Sequence, residues 1–184
     1  MKTIHRDLFA AKAAACLIEA PALPYLMADG VGDPSGETYR DTVAALYGVA
    51  YAVRKELKPS LTYSVAPLEG LWDGSPDDRA SLRWTAMILQ PVQATAQMVA
   101  AACAAKGVTG VRLDTLAEGR CAQILHVGPY RDEPATVEKL MAFVAERGLV
   151  VSGRHHEIYL SVPGRTPEEK MKTLIRYPVS EQGR

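Results

Sequence analysis

The chain has 184 residues, 21 basic and 21 acidic side chains, and 48% hydrophobic residues. This length suits one domain or two small modules with a shared core. The balanced charge offers no long-range field for phosphate backbones or anionic lipid, so we expect a small-molecule partner, no nucleic acid and no membrane. The three cysteines have no C-x-x-C spacing, which predicts a reducing cytoplasm and not a disulfide framework.

The alanine-rich start of the chain predicts an N-terminal helical arm over residues 1–22. Lys12 and Glu19 interrupt its apolar run. An uncharged signal-peptide core of about 7 to 15 residues therefore does not fit. No uncharged run approaches the roughly 20 residues that span a bilayer.

The first half begins with a predicted strand over 24–31, which ends in a Gly/Asp/Pro cluster typical of turns. Apolar side chains then recur at helical spacing over 43–57, until Pro59. Three β-rich runs follow and predict strands, at 61–66, 68–72 and 82–89.

The second half begins after a helix predicted over 92–106 and stopped by Gly107. Residues 111–116 and 120–127 then predict a hairpin with a turn at Gly119. A third helix is expected after a cap at Asp132, with Pro134 in its first turn and an end at Gly148. Two strands, at 155–161 and 171–177, complete the prediction.

The two halves repeat the same order of elements, with half-repeats at about 24–92 and 111–179. Such self-similarity predicts an α+β domain over residues 1–184, built from a duplicated strand-helix-strand-strand module. Neither half can cover its apolar face alone. We therefore expect a cleft on the seam between them, where ligand sites are common.

Several sequence blocks carry a family resemblance. Gly-Arg-Cys-Ala-Gln-Ile-Leu-His-Val-Gly-Pro-Tyr at 119–130, followed by His-His-Glu-Ile-Tyr-Leu-Ser at 155–161, resembles the GyrI-like small-molecule-binding family. Other blocks agree in the same order, at 25–30, 32–34, 67–72, 84–88 and 90–91. The similarity extends from about Ile4 to Val179.

The resemblance implies a concave antiparallel sheet with helices on the other face, as in the ligand domains of multidrug-sensing regulators. Stand-alone members similar to this chain include hydrolases that open the cyclopropane ring of DNA-alkylating natural products. No cofactor is implied. Asp73 stands where this subfamily often has a second aromatic residue.

Glu157 is the first candidate catalytic residue. Strand alternation puts Ile158 and Leu160 on one face, which we expect to meet the helices, and Glu157 with Tyr159 on the concave face. A partly desolvated carboxylate there would have a raised pKa and serve as general base or cation receptor. The alternative is a solvated strand carboxylate; the resemblance, which has a glutamate at the matching place, favours the pocket.

Tyr130 is the second catalytic candidate, because its hydroxyl at a Gly-Pro break can donate to a ligand oxygen. Trp72 and Trp84 offer flat faces for an aromatic or cationic ligand. Each of these three also suits a place in the core. Tyr63 holds the place in the first half that Glu157 holds in the second, so we expect it to face the pocket.

Three weaker ligand-binding candidates lie in the first half. Tyr47 and Tyr51, one helical turn apart, line the pocket or pack together. Glu69, in a short strand, is either a second carboxylate or the partner of a basic residue.

A metal site is not expected. His155 and Glu157 share a strand face while His156 points away, and two ligands do not make a zinc site. His126 is expected to be a hydrogen-bonded strand histidine.

These patterns support three functional hypotheses. The first is a hydrolase that opens strained electrophilic rings, and the second is a non-catalytic module that sequesters small ligands. A protein-interaction partner such as a gyrase inhibitor is the third, with little support. We expect a monomer or weak homodimer.

Overall fold

A computed structural model describes residues 7–9, 12–75, 78–162 and 164–182. The regular elements of these residues, in chain order, are β1 (Cys16–Ala20), β2 (Leu23–Val31), α1 (Glu37–Leu57), β3 (Leu68–Asp73), β4 (Arg83–Leu89), α2 (Ala96–Lys106), β5 (Arg112–Leu116), β6 (Gly119–Val127), α3 (Glu133–Glu146), β7 (Leu149–Val151), β8 (His155–Tyr159) and β9 (Lys172–Glu181).

The chain divides into two compact units. The first consists of Ala22–Leu116, and the second combines the described parts of Lys2–Pro21 and Ala117–Arg184. In the first unit the strand order is β3-β4-β2-β5, with antiparallel pairs. In the second it is β8-β9-β6-β1, also antiparallel, and β7 pairs with β9. The predicted α+β class with antiparallel strands is confirmed.

Each unit contains the strand-helix-strand-strand module. The first module is β2-α1-β3-β4 and the second is β6-α3-β8-β9, with the short β7 inserted before β8. In both, the fourth strand pairs with the third and the first, and one further strand is added beside the first. The duplication inferred from the sequence is therefore present in the strand order.

Two expectations about strand pairing are wrong. Residues 111–127 do not form a hairpin, because β5 pairs with β2 while β6 pairs with β1 and β9. Short separation in sequence favours a hairpin, but each strand finds its partner within its own unit. Residues 61–67 have no regular secondary structure. The guanidinium Nε of Arg54 donates to the carbonyl of Tyr63 at 2.7 Å, where a strand would need a backbone partner.

The prediction of a helical arm over residues 1–22 is also wrong for the described residues of this segment. Cys16–Ala20 is a strand, with Ile18 opposite Cys121 of β6, and Asp7–Phe9 is a short 3₁₀ turn. Residues 1–6, 10 and 11 lie outside the described residues. β1 contains a single alanine and pairs with β6, so the weak helix propensity of the alanines before it does not decide its conformation.

The ends of α2 and α3 show which signals in the sequence were reliable. Gly107 ends α2 in the left-handed conformation with φ 63°, as predicted. The helix begins at Ala96 and not at 92, because Thr95 caps it by accepting a hydrogen bond from the Met98 N–H. Asp132 occupies the cap position of α3, with Pro134 in the first turn. Its side chain makes no capping bond within the described residues.

Candidate functional site

Glu157 lies on the sheet face that carries α3. Its partner across the β8-β9 pair is Ile175, and Ile175 packs in one core cluster with Leu140 and Val144 of α3. Paired residues of antiparallel strands point to the same face. Glu157 therefore points towards the helix.

This corrects the face assignment made from the sequence, which placed the apolar side chains of this strand against the helices. His156 and Ile158 point to the opposite face and are both 0% exposed. Because β8 is covered on both faces, alternation identifies two faces without showing which one carries the helix.

Glu157 is one half of a carboxyl pair. Its partner is Glu133, the first residue of α3, whose carboxyl lies near enough to Glu157 and to Thr173 of β9 for both to shift its pKa. Glu133 is only 8% exposed. Burial, and then the charge of Glu157, raise the pKa of Glu133 to about 8. Near neutral pH the pair therefore holds one proton.

A histidine and a tyrosine extend this pair. Nε2 of His155 lies 2.8 Å from Oε1 of Glu157, and its Nδ1 lies 2.6 Å from the Tyr177 hydroxyl. A neutral imidazole with its proton on Nε2 satisfies all three groups, because Nε2–H donates to the carboxylate and Nδ1 accepts from the phenol. The His155 and Glu157 side chains are 20% and 15% exposed, so the network is largely shielded from water.

Tyrosines line the same site. The rings of Tyr130 and Tyr159 meet edge to face with centroids 5.9 Å apart. Burial, with the charges of Glu157 and Glu133, raises the pKa of both Tyr130 and Tyr177 to about 12. Both hydroxyls thus stay protonated and can donate hydrogen bonds. Tyr130 remains 41% exposed, so a ligand can reach it.

An open cleft of about 660 Å³ adjoins Tyr130. It is bordered by the turn that precedes α3 and by the segment between β8 and β9. Its described lining residues are Pro129, Tyr130, Arg131, Gly164, Arg165, Thr166, Pro167, Glu168 and Met171. The Arg131–Glu168 ion pair, at 3.0 Å, joins the two sides of this cleft.

The turn that presents Tyr130 is fixed by its sequence. Gly128 has φ 137°, a conformation that favours glycine, and Pro129 follows it. His126 of β6 then contacts both ends of the turn: its Nδ1 lies 2.9 Å from the Thr136 hydroxyl on α3, and its Nε2 lies 3.1 Å from the Pro129 carbonyl. The prediction of a hydrogen-bonded strand histidine is confirmed, and the residue helps to hold Tyr130 in place.

An aromatic cluster occupies the first unit. Tyr39 of α1 meets Trp84 edge to face at 4.9 Å and Trp72 at 5.7 Å. Both indoles lie over strand glycines: a Cβ at Gly30 would come within 2.1 Å of the Trp84 ring, and one at Gly70 within 2.8 Å of Trp72 Nε1. Trp84 is 2% exposed, and its Nε1 donates to the Gly32 carbonyl. Trp72 is half-buried.

The structure separates Glu69 from the two tryptophans. Glu69 and Trp72 are three positions apart on β3, so their side chains point to opposite faces of the sheet. Glu69 therefore points to the face away from α1. There it is 1% exposed and accepts a hydrogen bond from the Tyr25 hydroxyl at 3.4 Å. Glu69 is therefore a buried carboxylate with a phenol partner.

Two tyrosine candidates of the first unit remain, Tyr63 and Tyr51. Tyr63 is 8% exposed and precedes β3, so it is not the strand counterpart of Glu157. Its hydroxyl has no hydrogen-bond partner among the described residues, and burial raises its pKa. Tyr51 is 55% exposed and stacks on Tyr47 with ring centroids 6.4 Å apart.

Nothing in the sequence singled out Glu133, Tyr177 or Tyr39 as site residues. Glu133 has the sequence signature of an ordinary acidic residue in the first turn of a helix, where the dipole favours it. Tyr177 was assigned only to a strand. The useful signal for Tyr39 was the glycines within β2 and β3, since glycine in a strand often marks the close approach of another group.

Comparison with known proteins places the chain in a family. A model of the GyrI-like small molecule binding domain matches residues 17–180, and the chain belongs to the GyrI-like family. The structure of an uncharacterized conserved protein from Listeria innocua is similar, with a TM-score of 0.91 and 35% identity over 97% of this chain and 98% of that one. No curated protein sequence matches.

Two further solved structures extend the comparison. A hydrolase from Listeria innocua has a TM-score of 0.88 and 34% identity, covering 97% of this chain and 98% of its own. The EcmrR C-terminal domain, at 16% identity and a TM-score of 0.64 over 91% of this chain and 98% of its own, shares the fold. No helix within the described ranges is long and apolar enough to cross a membrane.

Proposed function

We propose that this protein is a hydrolase that opens strained electrophilic rings, such as the cyclopropane of DNA-alkylating compounds, and so detoxifies them in the cytoplasm. The observation that carries the proposal is the Glu157 carboxylate, held by His155 and Glu133 at a site lined by Tyr130 and Tyr159. Two hydrolases from Listeria innocua, at 34% and 36% identity over 97% of this chain, support it.

The proposed reaction adds water across one carbon–carbon bond. Glu157 takes a proton from a water molecule as the water oxygen bonds to a ring carbon. The breaking carbon–carbon bond passes its electron pair through the conjugated system to a carbonyl oxygen of the ligand. Tyr130 donates a hydrogen bond to that oxygen as its negative charge grows. The proton on Glu157 returns to the product through solvent, so no other reactant is consumed.

We further propose contacts between the ligand and aromatic side chains. Tyr159 lies beside Tyr130 in the second unit. In the first unit, Trp72 is the best placed of the earlier candidates, because it is half-buried and its ring lies beside that of Tyr39. Trp84, Tyr63, Tyr51 and Glu69 remain proposed ligand-binding residues of lower rank.

The test compares three proteins with one cyclopropane-bearing alkylator and follows the products by mass spectrometry. The wild type should give the water adduct. Glu157→Gln should lower kcat by about 100-fold or more, because the general base is lost. Glu138→Gln, an exposed residue of α3, is the matched control and should behave like the wild type. Equal turnover by Glu157→Gln would rule out the mechanism.

A second candidate function is sequestration without chemistry. The Glu157 carboxylate and the rings of Tyr130 and Tyr159 also suit a hydrophobic cation. A binder would show a saturable thermal shift and return its ligand intact. Recovery of unmodified alkylator after long incubation with stoichiometric protein would therefore favour this function over hydrolysis.

A further inference from the structure

We propose that Glu133 is a positioning residue that shares one proton with Glu157 and so presents Glu157 to the ligand as an oriented carboxylate. The catalytic consequence rests on the proposed hydrolase function, while the proton-sharing pair itself does not. The inference starts from the position of Glu133 at the beginning of α3, against the strands that carry Glu157 and Thr173.

The surroundings of Glu133 favour its neutral form. Its side chain is buried, and its Oε1 has no hydrogen-bond partner among the described residues. An ionised Glu133 would leave that oxygen charged and without a donor, which is costly in a dry environment. The start of α3 favours a negative charge, but this effect is smaller than the combined burial and repulsion by Glu157.

Three other titratable groups surround the pair. His155 approaches Glu157 from β8, Tyr130 from the turn before α3, and Tyr177 from β9. Within the described part of the chain, neither Glu133 nor Glu157 forms an ion pair with a lysine or arginine. Two ionised carboxylates at this buried site would repel each other, so we expect one of the two to carry a proton.

This arrangement fixes the orientation of Glu157. The protonated Glu133 donates to the Glu157 carboxylate, and Nε2–H of His155 donates to its Oε1. Two donors on one carboxylate restrict its rotation and direct its remaining lone pairs. Glutamine at position 133 would keep a donor at every pH, because its amide cannot ionise, whereas alanine would remove the donor.

The direct test is infrared spectroscopy of the folded protein across a pH titration. Ordinary carboxyl groups are ionised by about pH 6.5. A protonated-carboxyl band that persists there and disappears with a midpoint near pH 8 is expected in the wild type and in Glu138→Gln. The band should be absent in Glu133→Gln. A wild type without this band would overturn the proposal.

Kinetics test the positioning role separately. Glu133→Ala should lower kcat/KM by about 10- to 100-fold at pH 7. Glu133→Gln should restore most of it, and it should also remove any alkaline decline near pH 8. If glutamine rescues no better than alanine, the positioning role is wrong. A titrating band in a protein that hydrolyses no alkylator would remove the proposed hydrolase function and leave the carboxyl pair standing.

Discussion

At the scale of single residues, the raised pKa of Glu133 predicts that the stability of the protein depends on pH. Its pKa is about 8 in the folded protein, against an ordinary value of 4.5. Folding therefore binds a proton between these two pH values, and the stabilisation is fully present below the lower value. As pH rises towards about 8, this contribution is lost, and above that pH the loss is complete.

Glu133→Gln should remove this pH dependence, because the amide does not titrate. Relative to the wild type, the variant should be more stable at about pH 9 than at about pH 5, by on the order of a few kcal/mol. Urea unfolding at both pH values measures the difference, with Glu138→Gln as the control. Wild-type and variant curves that shift in parallel would show that Glu133 ionises normally.

The sequence alone singled out some residues of the candidate site but not the carboxyl that Glu157 is paired with. Glu157, Tyr130 and Tyr159 were candidates because alternation and the Gly-Pro break set them apart. Glu133 was missed because the first turn of any helix tolerates an acidic residue. Its special character comes from Thr173 and Glu157, which are 40 and 24 positions away in the sequence.

At the scale of elements, Trp84 of β4 depends on a glycine, Gly30, in the neighbouring strand β2. Gly30→Ala should be destabilising by about 1 to 3 kcal/mol, because the new Cβ would lie 2.1 Å from the Trp84 ring. It should also change the near-ultraviolet circular dichroism of the indole. The comparison is Gly48→Ala in α1, where the nearest atom is Lys106 Cδ at 3.6 Å.

That control should be neutral or stabilising by up to about 1 kcal/mol, since alanine is favoured over glycine inside a helix. Urea unfolding monitored at several wavelengths compares the two variants. Equal stability of the two proteins would contradict the tight contact between Gly30 and Trp84.

Element types were predicted better than element partners. The periodicity of α1, the stop of α2 at Gly107, and the two runs that became β3 and β4 were all readable because they depend on local geometry. The supposed hairpin failed because pairing is decided by contacts far along the chain, where β5 meets β2 and β6 meets β9. The same cause explains β1, which was predicted as helix because an alanine-rich run precedes it.

At the scale of the whole molecule, the duplication is the feature that the sequence showed most directly. Each unit orders its strands in the same way, yet the two units carry different side chains. The second unit holds the carboxyl pair with its histidine and tyrosines, and the first holds the indole cluster. The repeat predicts the architecture of both units, whereas the chemistry depends on the side chains in which the two units differ.

The most direct test of the account is a single-turnover reaction with a cyclopropane-bearing alkylator in ¹⁸O-labelled water. The wild type should give a product with one labelled oxygen. Glu157→Gln should bind the compound but form that product at least about 100-fold more slowly. Equal rates in the two proteins, or a product without the label, would contradict the assignment of Glu157 as the group that activates water.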